Sequence, residues 1–357
     1  MDINSFHHNS KAKTGVLIVN LGTPDAPDTK SVRRYLKEFL WDPRVVEVPR
    51  PIWWFVLNFI ILNTRPRKSA KAYQKVWTED GSPLMSISKE QTAAISESLN
   101  AAYGDEVVVD LAMRYGSPSI GSVLKSMQER GVRELLIVPM YPQYSATTTA
   151  SIFDEVTDQL KKWRWLPELR FINHYHDNPD YIEALANSVE SWRAEHGGAD
   201  KLLMSFHGVP EEYFHKGDPY HCECHKTGRL LAERLGLKEG EWQISFQSRL
   251  GPKQWLSPYT DHTLEKFGEE GVKSVQVICP GFAADCLETI EEIGMENRDT
   301  FLEAGGERYE YIACLNAQPN HIAMLSSLIQ KHLGGWVSHT QDPEETLAHA
   351  KKLGATQ

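Results

Sequence analysis

The chain carries a partial copy of itself, and that duplication narrows the folds open to it. Gly131-Val132-Arg133 leads into the apolar run Glu134 to Pro139, and Gly271-Val272-Lys273 leads into Ser274 to Cys279, an offset of 140 residues. The same offset relates Asn178-Pro179-Asp180-Tyr181-Ile182 with Leu185 to Gln318-Pro319-Asn320-His321-Ile322 with Leu325. Leu21-Gly22-Thr23-Pro24 mirrors His207-Gly208-Val209-Pro210, and Arg114-Tyr115-Gly116-Ser117-Pro118 more loosely mirrors Arg249-Leu250-Gly251-Pro252. Apolar runs predict strands near 15–21, 106–113, 134–139 and 169–173, then near 201–206, 242–247, 274–279 and 309–314. Each is followed by a helix-length segment, the pattern of a parallel α/β sheet. Two similar doubly wound halves are therefore expected, each a four-stranded parallel sheet flanked by helices, with a cleft between them. The divisions are 14–178 with a lip at 51–75, then 179–335, then a polar tail at 336–357. A chain of 357 residues supports two cores.

Two strand ends carry the chemistry. After the strand ending at Cys279, a Pro280-Gly281 turn precedes a helix with acids at Asp285, Glu288, Glu292 and Glu296. At α-helical pitch these four fall within an arc of roughly 80°. Such a stripe either faces bulk water or gathers cations. Its start at a strand's carboxyl end matters, because ligands bind at that edge of open parallel sheets. Lys201 to Phe206 reads as a second such strand, followed by His207-Gly208. A histidine there is a structural residue or a ligand. Imidazole with carboxylate suits a divalent transition metal, and histidine also accepts protons at neutral pH. One His and one Glu are too few for a closed structural zinc site, which takes four ligands. They suit a cation in transit.

Other features bound the function. A net charge of −10 argues against nucleic-acid binding. Gly116 to Gly121 has the spacing of a phosphate loop but is followed by Ser122-Val123 rather than Lys-Ser/Thr, and no Gly-x-Gly-x-x-Gly follows the first strand, so no nucleotide is expected. Met1 to Lys13 lacks the apolar core of a signal peptide. Five cysteines fit a reducing compartment. His221-Cys222-Glu223-Cys224-His225 resembles a metal knot, but two thiols without a second pair fall short of a tetrahedral set. Ile52 to Leu62 is apolar except for Asn58 and is too short to span a bilayer, which takes ~20 residues. It is a buried helix, or a lip that touches membrane or grips a large flat ligand, given its tryptophans and the basic flank Arg65, Arg67, Lys68, Lys71 and Lys75.

Six ordered motifs together resemble the ferrochelatase family across Thr14 to His332. They are Asn20-Leu21-Gly22-Thr23-Pro24, Gly81-Ser82-Pro83-Leu84, Tyr141-Pro142-Gln143-Tyr144-Ser145, Ser205-Phe206-His207-Gly208-Val209-Pro210, Phe246-Gln247-Ser248-Arg249 with Trp255-Leu256, and Cys279-Pro280-Gly281-Phe282 with Asp285 and Glu288. The resemblance implies two Rossmann-like, chelatase-like halves and a lyase that inserts Fe2+ into protoporphyrin IX, releasing two protons and forming haem. It implies His207 and Glu288 as the metal-site and catalytic pair, with the share of each left open. Asp285, Glu292 and Glu296 would relay protons or cations along a helix containing a wide π-type turn. Leu21, Tyr115, Trp255 and the 51–62 lip are candidate porphyrin walls or plain core, and Arg65, Arg67, Arg114 or Lys68 are candidate propionate partners, with Arg favoured for bidentate contact. Leu21 resembles Gram-negative enzymes that use protoporphyrin IX, and Cys286 stands where many relatives have His. Fe2+ is then a substrate and no cofactor is required. No iron–sulfur cluster is expected: cluster-bearing relatives place thiols in a carboxyl-terminal extension or at the position of Ala146, and no Cys follows Cys314. The expected setting is cytoplasmic, with 51–62 in peripheral contact with the inner membrane. A chelatase for another tetrapyrrole or metal, or a non-enzymatic porphyrin carrier, are the other readings.

Overall fold

The computed structural model describes residues 8–9, 11–249, 251, 253–336 and 342–355. Eight strands form two four-stranded sheets. The first contains β1 (Lys13–Gly22), β2 (Val107–Tyr115), β3 (Val132–Pro139) and β4 (Glu168–Phe171) in the order β2-β1-β3-β4. The second contains β5 (Lys201–His207), β6 (Trp242–Gln247), β7 (Ser274–Ile278) and β8 (Arg308–Ile312) in the order β6-β5-β7-β8. All pairings are parallel. The orders are the same, so the duplication read from the sequence is a duplication of topology.

Both faces of each sheet are covered, which is why the inner strands are continuous apolar runs rather than alternating ones. Val16, Leu17, Ile18 and Val19 of β1 are all fully buried, as are Leu202, Leu203 and Met204 of β5. The two halves also share a core. The helix Pro179–His196, which follows β4, packs against β8, and the helix Pro319–Leu333, which follows β8, packs against β3. Each half thus covers the other's sheet with its last helix, and one apolar cluster runs from Val16 through Leu185 and Met204 to Leu325.

In sheets of this order the chain reverses direction between the first and third strands, and the crevice lies outside their carboxyl ends. Those ends are Leu21 and Tyr141 in the first half, and His207 and the Pro280–Glu288 segment in the second. Gly22 and Gly208 show why glycine occupies both turns. Gly22 has φ +113°, and a Cβ there would lie 1.8 Å from the Tyr115 carbonyl oxygen. At Gly208 a Cβ would meet the Gln247 carbonyl at 2.8 Å, and its own N–H donates to that oxygen at 2.7 Å.

One mirror shifts. Met113 N–H donates to Pro118 O at 2.7 Å and Phe246 N–H to Pro258 O at 2.8 Å, so the counterpart of Ser117-Pro118 is Ser257-Pro258, not Gly251-Pro252. Leu250 and Pro252 of that expected match lie outside the described residues, as does most of the amino-terminal segment Met1 to Ser10. Within the polar tail, Pro343–Lys352 is a helix capped by Asp342, whose side chain accepts from Glu344 N–H.

Candidate active site

His207 closes β5, with its Cα paired to that of Gln247 on β6. Its Nδ1 lies 2.6 Å from the Gly208 carbonyl oxygen. A carbonyl can only accept, so Nδ1 carries the hydrogen and Nε2 is left with the open lone pair. The turn itself therefore sets the tautomer.

Glu288 opens a π-helix, Glu288–Glu296, continued by the α-helix Asn297–Glu303. Here i→i+5 bonding replaces i→i+4. Side chains from neighbouring elements steady it by donating to its carbonyls: Gln247 Nε2 to Glu288 O at 3.1 Å, Asn297 Nδ2 to Glu292 O at 2.9 Å, and Tyr309 OH to Ile293 O at 2.6 Å. Gln247 is the joint of the site. Its buried amide also accepts from Ser205 Oγ at 2.7 Å, so one side chain links β5, β6 and the Glu288 turn beside His207.

First-half residues close the other side of Glu288. The phenols of Tyr35, Tyr73 and Tyr141 are pushed well up, chiefly by burial, and in each the Glu288 charge adds to the shift. The Tyr141 hydroxyl is buried without a hydrogen-bond partner. Leu21 packs with Leu84, Ala284, Cys286 and Phe282, and the Phe282 ring is 6.4 Å from that of His207. Trp255 lies against Gly208, with its ring 3.2 Å from where a Cβ would sit. The site is a chamber between the halves, with an imidazole and a carboxylate among aromatic and aliphatic walls.

The acidic stripe differs from its expected form. Asp285 precedes the helix and leaves the stripe. Its buried carboxylate accepts from Thr289 Oγ1 at 2.9 Å, Asn316 Nδ2 at 2.7 Å, the Cys314 N–H at 3.4 Å and Tyr311 OH. A carboxylate with its lone pairs so occupied anchors the turn rather than passing protons. Glu292 remains in the stripe. It accepts Ser248 N–H at 2.8 Å and the Ser248 hydroxyl, and Ser248 reaches it with φ 65°, a left-handed backbone. Burial pushes the Glu292 carboxyl up to about 7; Ser248 opposes the shift, and Glu288 and Glu296 add to it. Glu296 is exposed. Glu291, absent from the sequence reading, is buried and takes Lys75 Nζ at 2.6 Å, tying the lip helix Leu62–Val76 to the π-helix. Lys75 therefore leaves the basic flank assigned to a ligand or membrane.

Two further assignments change. Arg114 donates to Asp42 at 2.6 Å and to Ser151 Oγ at 2.7 Å, and Tyr115, 1 % exposed, donates to Asp42 at 2.8 Å. Arg114 is thus spent on a buried network and is not free for a propionate, and Tyr115 supports the chamber from beneath rather than lining it. Arg65 and Arg67 are exposed on the lip helix and, among the described residues, form no ion pair. The lip is amphipathic. Leu57 is fully buried, while Ile52, Trp54, Phe55, Phe59 and Ile60 are at least half exposed. Trp53 faces inward and donates from Nε1 to Leu40 O at 2.6 Å. No helix among the described residues is long and apolar enough to cross a membrane.

Gln247, Ser248, Tyr35, Tyr73 and Tyr141 were not singled out as site residues in the sequence. The signal for the first two was an amide and a hydroxyl at the carboxyl end of a predicted strand, inside the Phe246–Arg249 motif.

Comparison with known proteins agrees with this geometry. The family model described as Ferrochelatase matches residues 13–333. The chain is similar to the ferrochelatase of Pseudoalteromonas atlantica, 61% identical over 351 residues covering 98% of each chain. It is also similar to that of Marinobacter nauticus, 57% identical over 355 residues covering 98% of this chain and 96% of the relative. Among solved structures it resembles SirB from Bacillus subtilis with Fe3+, at TM-score 0.53 and 12% identity, covering 90% of this chain and 96% of that one. At that identity the likeness speaks for the chelatase-like fold alone. The family match, the relatives and the site geometry agree: the chain belongs to the ferrochelatases, the metal-chelating lyases of haem synthesis.

Proposed function

We propose that Fe2+ enters protoporphyrin IX between His207 and Glu288, with two pyrrole protons released and protohaem formed. The observation that carries this reading is the tautomer at His207. With Nδ1–H held by Gly208 O, Nε2 is a neutral nitrogen able to take a pyrrole proton or to hold iron at one ring face. Glu288, fixed by Gln247 at the same strand edge, supplies the negative charge that stabilises either an imidazolium or a partly dehydrated cation. Glu292, poised near 7, gains and loses a proton at neutral pH and passes it toward exposed Glu296. Leu21, Phe282 and Trp255 provide flat apolar walls that hold the macrocycle in a distorted, nitrogen-exposing form. Arg65, one of two lip arginines without an ion pair among the described residues, is the propionate partner.

The lip makes peripheral contact with a bilayer. Protoporphyrin and haem partition into lipid, and the rings of Trp54, Phe55 and Phe59, with centroids 5.8 and 4.9 Å apart, are at least half exposed. The flanking Arg67, Lys68 and Lys71 suit anionic headgroups. The chain holds no iron–sulfur cluster. Cys279, Cys286 and Cys314 are buried, and Cys222 and Cys224 on the helix Tyr220–Arg234 are two short of the four ligands a cluster takes.

The test is anaerobic incubation of the purified protein with Fe2+ and protoporphyrin. The free-base visible bands should collapse to the metalloporphyrin pair at a catalytic rate, and turnover with cobalt or nickel but not Fe2+ would assign the site to another chelatase.

A further inference from the structure

The run His221-Cys222-Glu223-Cys224-His225 does not fold as a metal knot. On the helix Tyr220–Arg234, Cys224 is fully buried in the shared core, while His221 and His225 lie against Phe246. Glu223 points elsewhere, with Thr227 one turn on, toward the linker that joins β4 to the helix Pro179–His196. In that linker Tyr175 N–H donates to Pro142 O at 2.9 Å, and Thr227 Oγ1 donates to His176 O at 2.8 Å. Tyr175 turns into the core, so His174 and His176 project together toward Glu223.

Three groups converge there. His174 Nδ1 lies 2.7 Å from Glu223 Oε1, and His176 Nδ1 lies 3.3 Å from Glu223 Oε2. Glu223 Oε2 also accepts Tyr144 N–H at 2.7 Å. His176 is 5 % exposed, and its Nδ1 is buried with no hydrogen-bond partner. A buried ring nitrogen left unpaired costs ~1–3 kcal/mol and calls for an explanation. The 3.3 Å separation without hydrogen-bond geometry is one: two ligands of a tetrahedral ion, each bonded at ~2.0–2.1 Å, stand roughly that far apart. Behind His176, Nε2 is 3.9 Å from Asp177 Oδ2, too far for a hydrogen bond, and that oxygen takes Lys226 Nζ at 2.5 Å.

We propose that His174, His176 and Glu223 bind one divalent first-row transition ion, at a site built from none of the cleft residues. Two imidazoles and one carboxylate favour Zn2+, Co2+ or Fe2+ over Mg2+ or Ca2+. Three protein ligands, with half-exposed His174 at the rim, leave a fourth position for water. The bound ion would clamp the linker between the halves onto the helix Tyr220–Arg234.

The experiment uses the full-length His207→Ala chain, so that the cleft histidine contributes no ligand. After stripping by chelator and anaerobic titration with Co2+, gel filtration should leave one Co2+ per chain, with the visible bands of a four-coordinate ion and a raised Tm. Adding His174→Ala, a half-exposed position whose loss does not threaten folding, should weaken Co2+ binding by more than the ~10–100-fold that losing a mere outer partner costs. Glu223→Gln in the same background should do likewise. No retained Co2+ in His207→Ala, or retention unchanged by both added substitutions, would overturn the site.

Discussion

Replacing Glu292 by glutamine should stabilise the protein at alkaline pH and leave it nearly unchanged at acid pH. The folded-state carboxyl titrates at about 7 against an ordinary value of 4.5. A raised carboxyl pKa means that between those values the folded chain keeps a proton the unfolded chain has lost. Stability contributed by the protonated form is therefore whole below pH ~4.5 and declines as pH rises toward 7. The full shift corresponds to ~3 kcal/mol at 1.36 kcal/mol per unit. Partial solvent access to the cleft lowers the expected value to ~1–3 kcal/mol. The substituted amide would stay neutral throughout. Its oxygen keeps the bond from Ser248 N–H, and its NH2 can donate to the Ser248 hydroxyl, so little is lost in exchange. Urea unfolding of both proteins at pH 5, 6, 7 and 8 gives the difference directly. A stability difference that does not grow between pH 5 and pH 8 would show that Glu292 titrates as an ordinary carboxylate, and its place as proton carrier would fall with it.

Three other outcomes follow from the geometry. Asp285→Asn should lower stability by ~2–4 kcal/mol, because a buried carboxylate surrounded by donors is replaced by a group that must itself donate; calorimetry checks this, and activity per folded molecule should stay within a few-fold. Replacing Trp54, Phe55 and Phe59 with Ser should move the protein from vesicle pellet to supernatant in a sedimentation assay. High salt should release it only in part, since salt screens the basic flank but not the apolar face, and no change on substitution would leave the exposed rings unexplained. An anaerobic preparation should contain no labile sulfide; two irons and two sulfides per chain would refute the thiol argument.

The duplication exposed the fold because the two parallel sheets repeat their apolar runs and turn glycines in the same order, with only part of the repeat keeping the offset of 140, and all eight strands lie where those runs fall. His207 and Glu288 were legible for the same reason, since a strand end is a local feature. The stripe was read less well. Its acidic spacing was read at i→i+4 pitch, and the π-type turn came only from the family resemblance; Gln247 and Tyr309 reach the Glu288 and Ile293 carbonyls from other strands, and Asn297 reaches the Glu292 carbonyl from the next turn. Asp285 and Arg114 were misplaced because charge alone does not reveal what neutralises it: Tyr311 and Asn316 come from beyond β7, and Asp42 from the first crossover. Trp53 and Trp54 are adjacent and alike in sequence, yet one is held by Leu40 O and the other faces outward.

In the proposed reaction the Nε2 of His207 takes a pyrrole proton or holds iron at one ring face. Single-turnover metallation by His207→Ala, with porphyrin binding followed by fluorescence in the same samples, tests it most directly. Insertion of Fe2+ should slow by ~10²-fold or more, as loss of a positioned acid–base group predicts. Porphyrin affinity should stay within about tenfold, because the apolar walls supply most of it. Metallation above roughly a tenth of the wild-type rate, with porphyrin still bound, would rule out that role for His207.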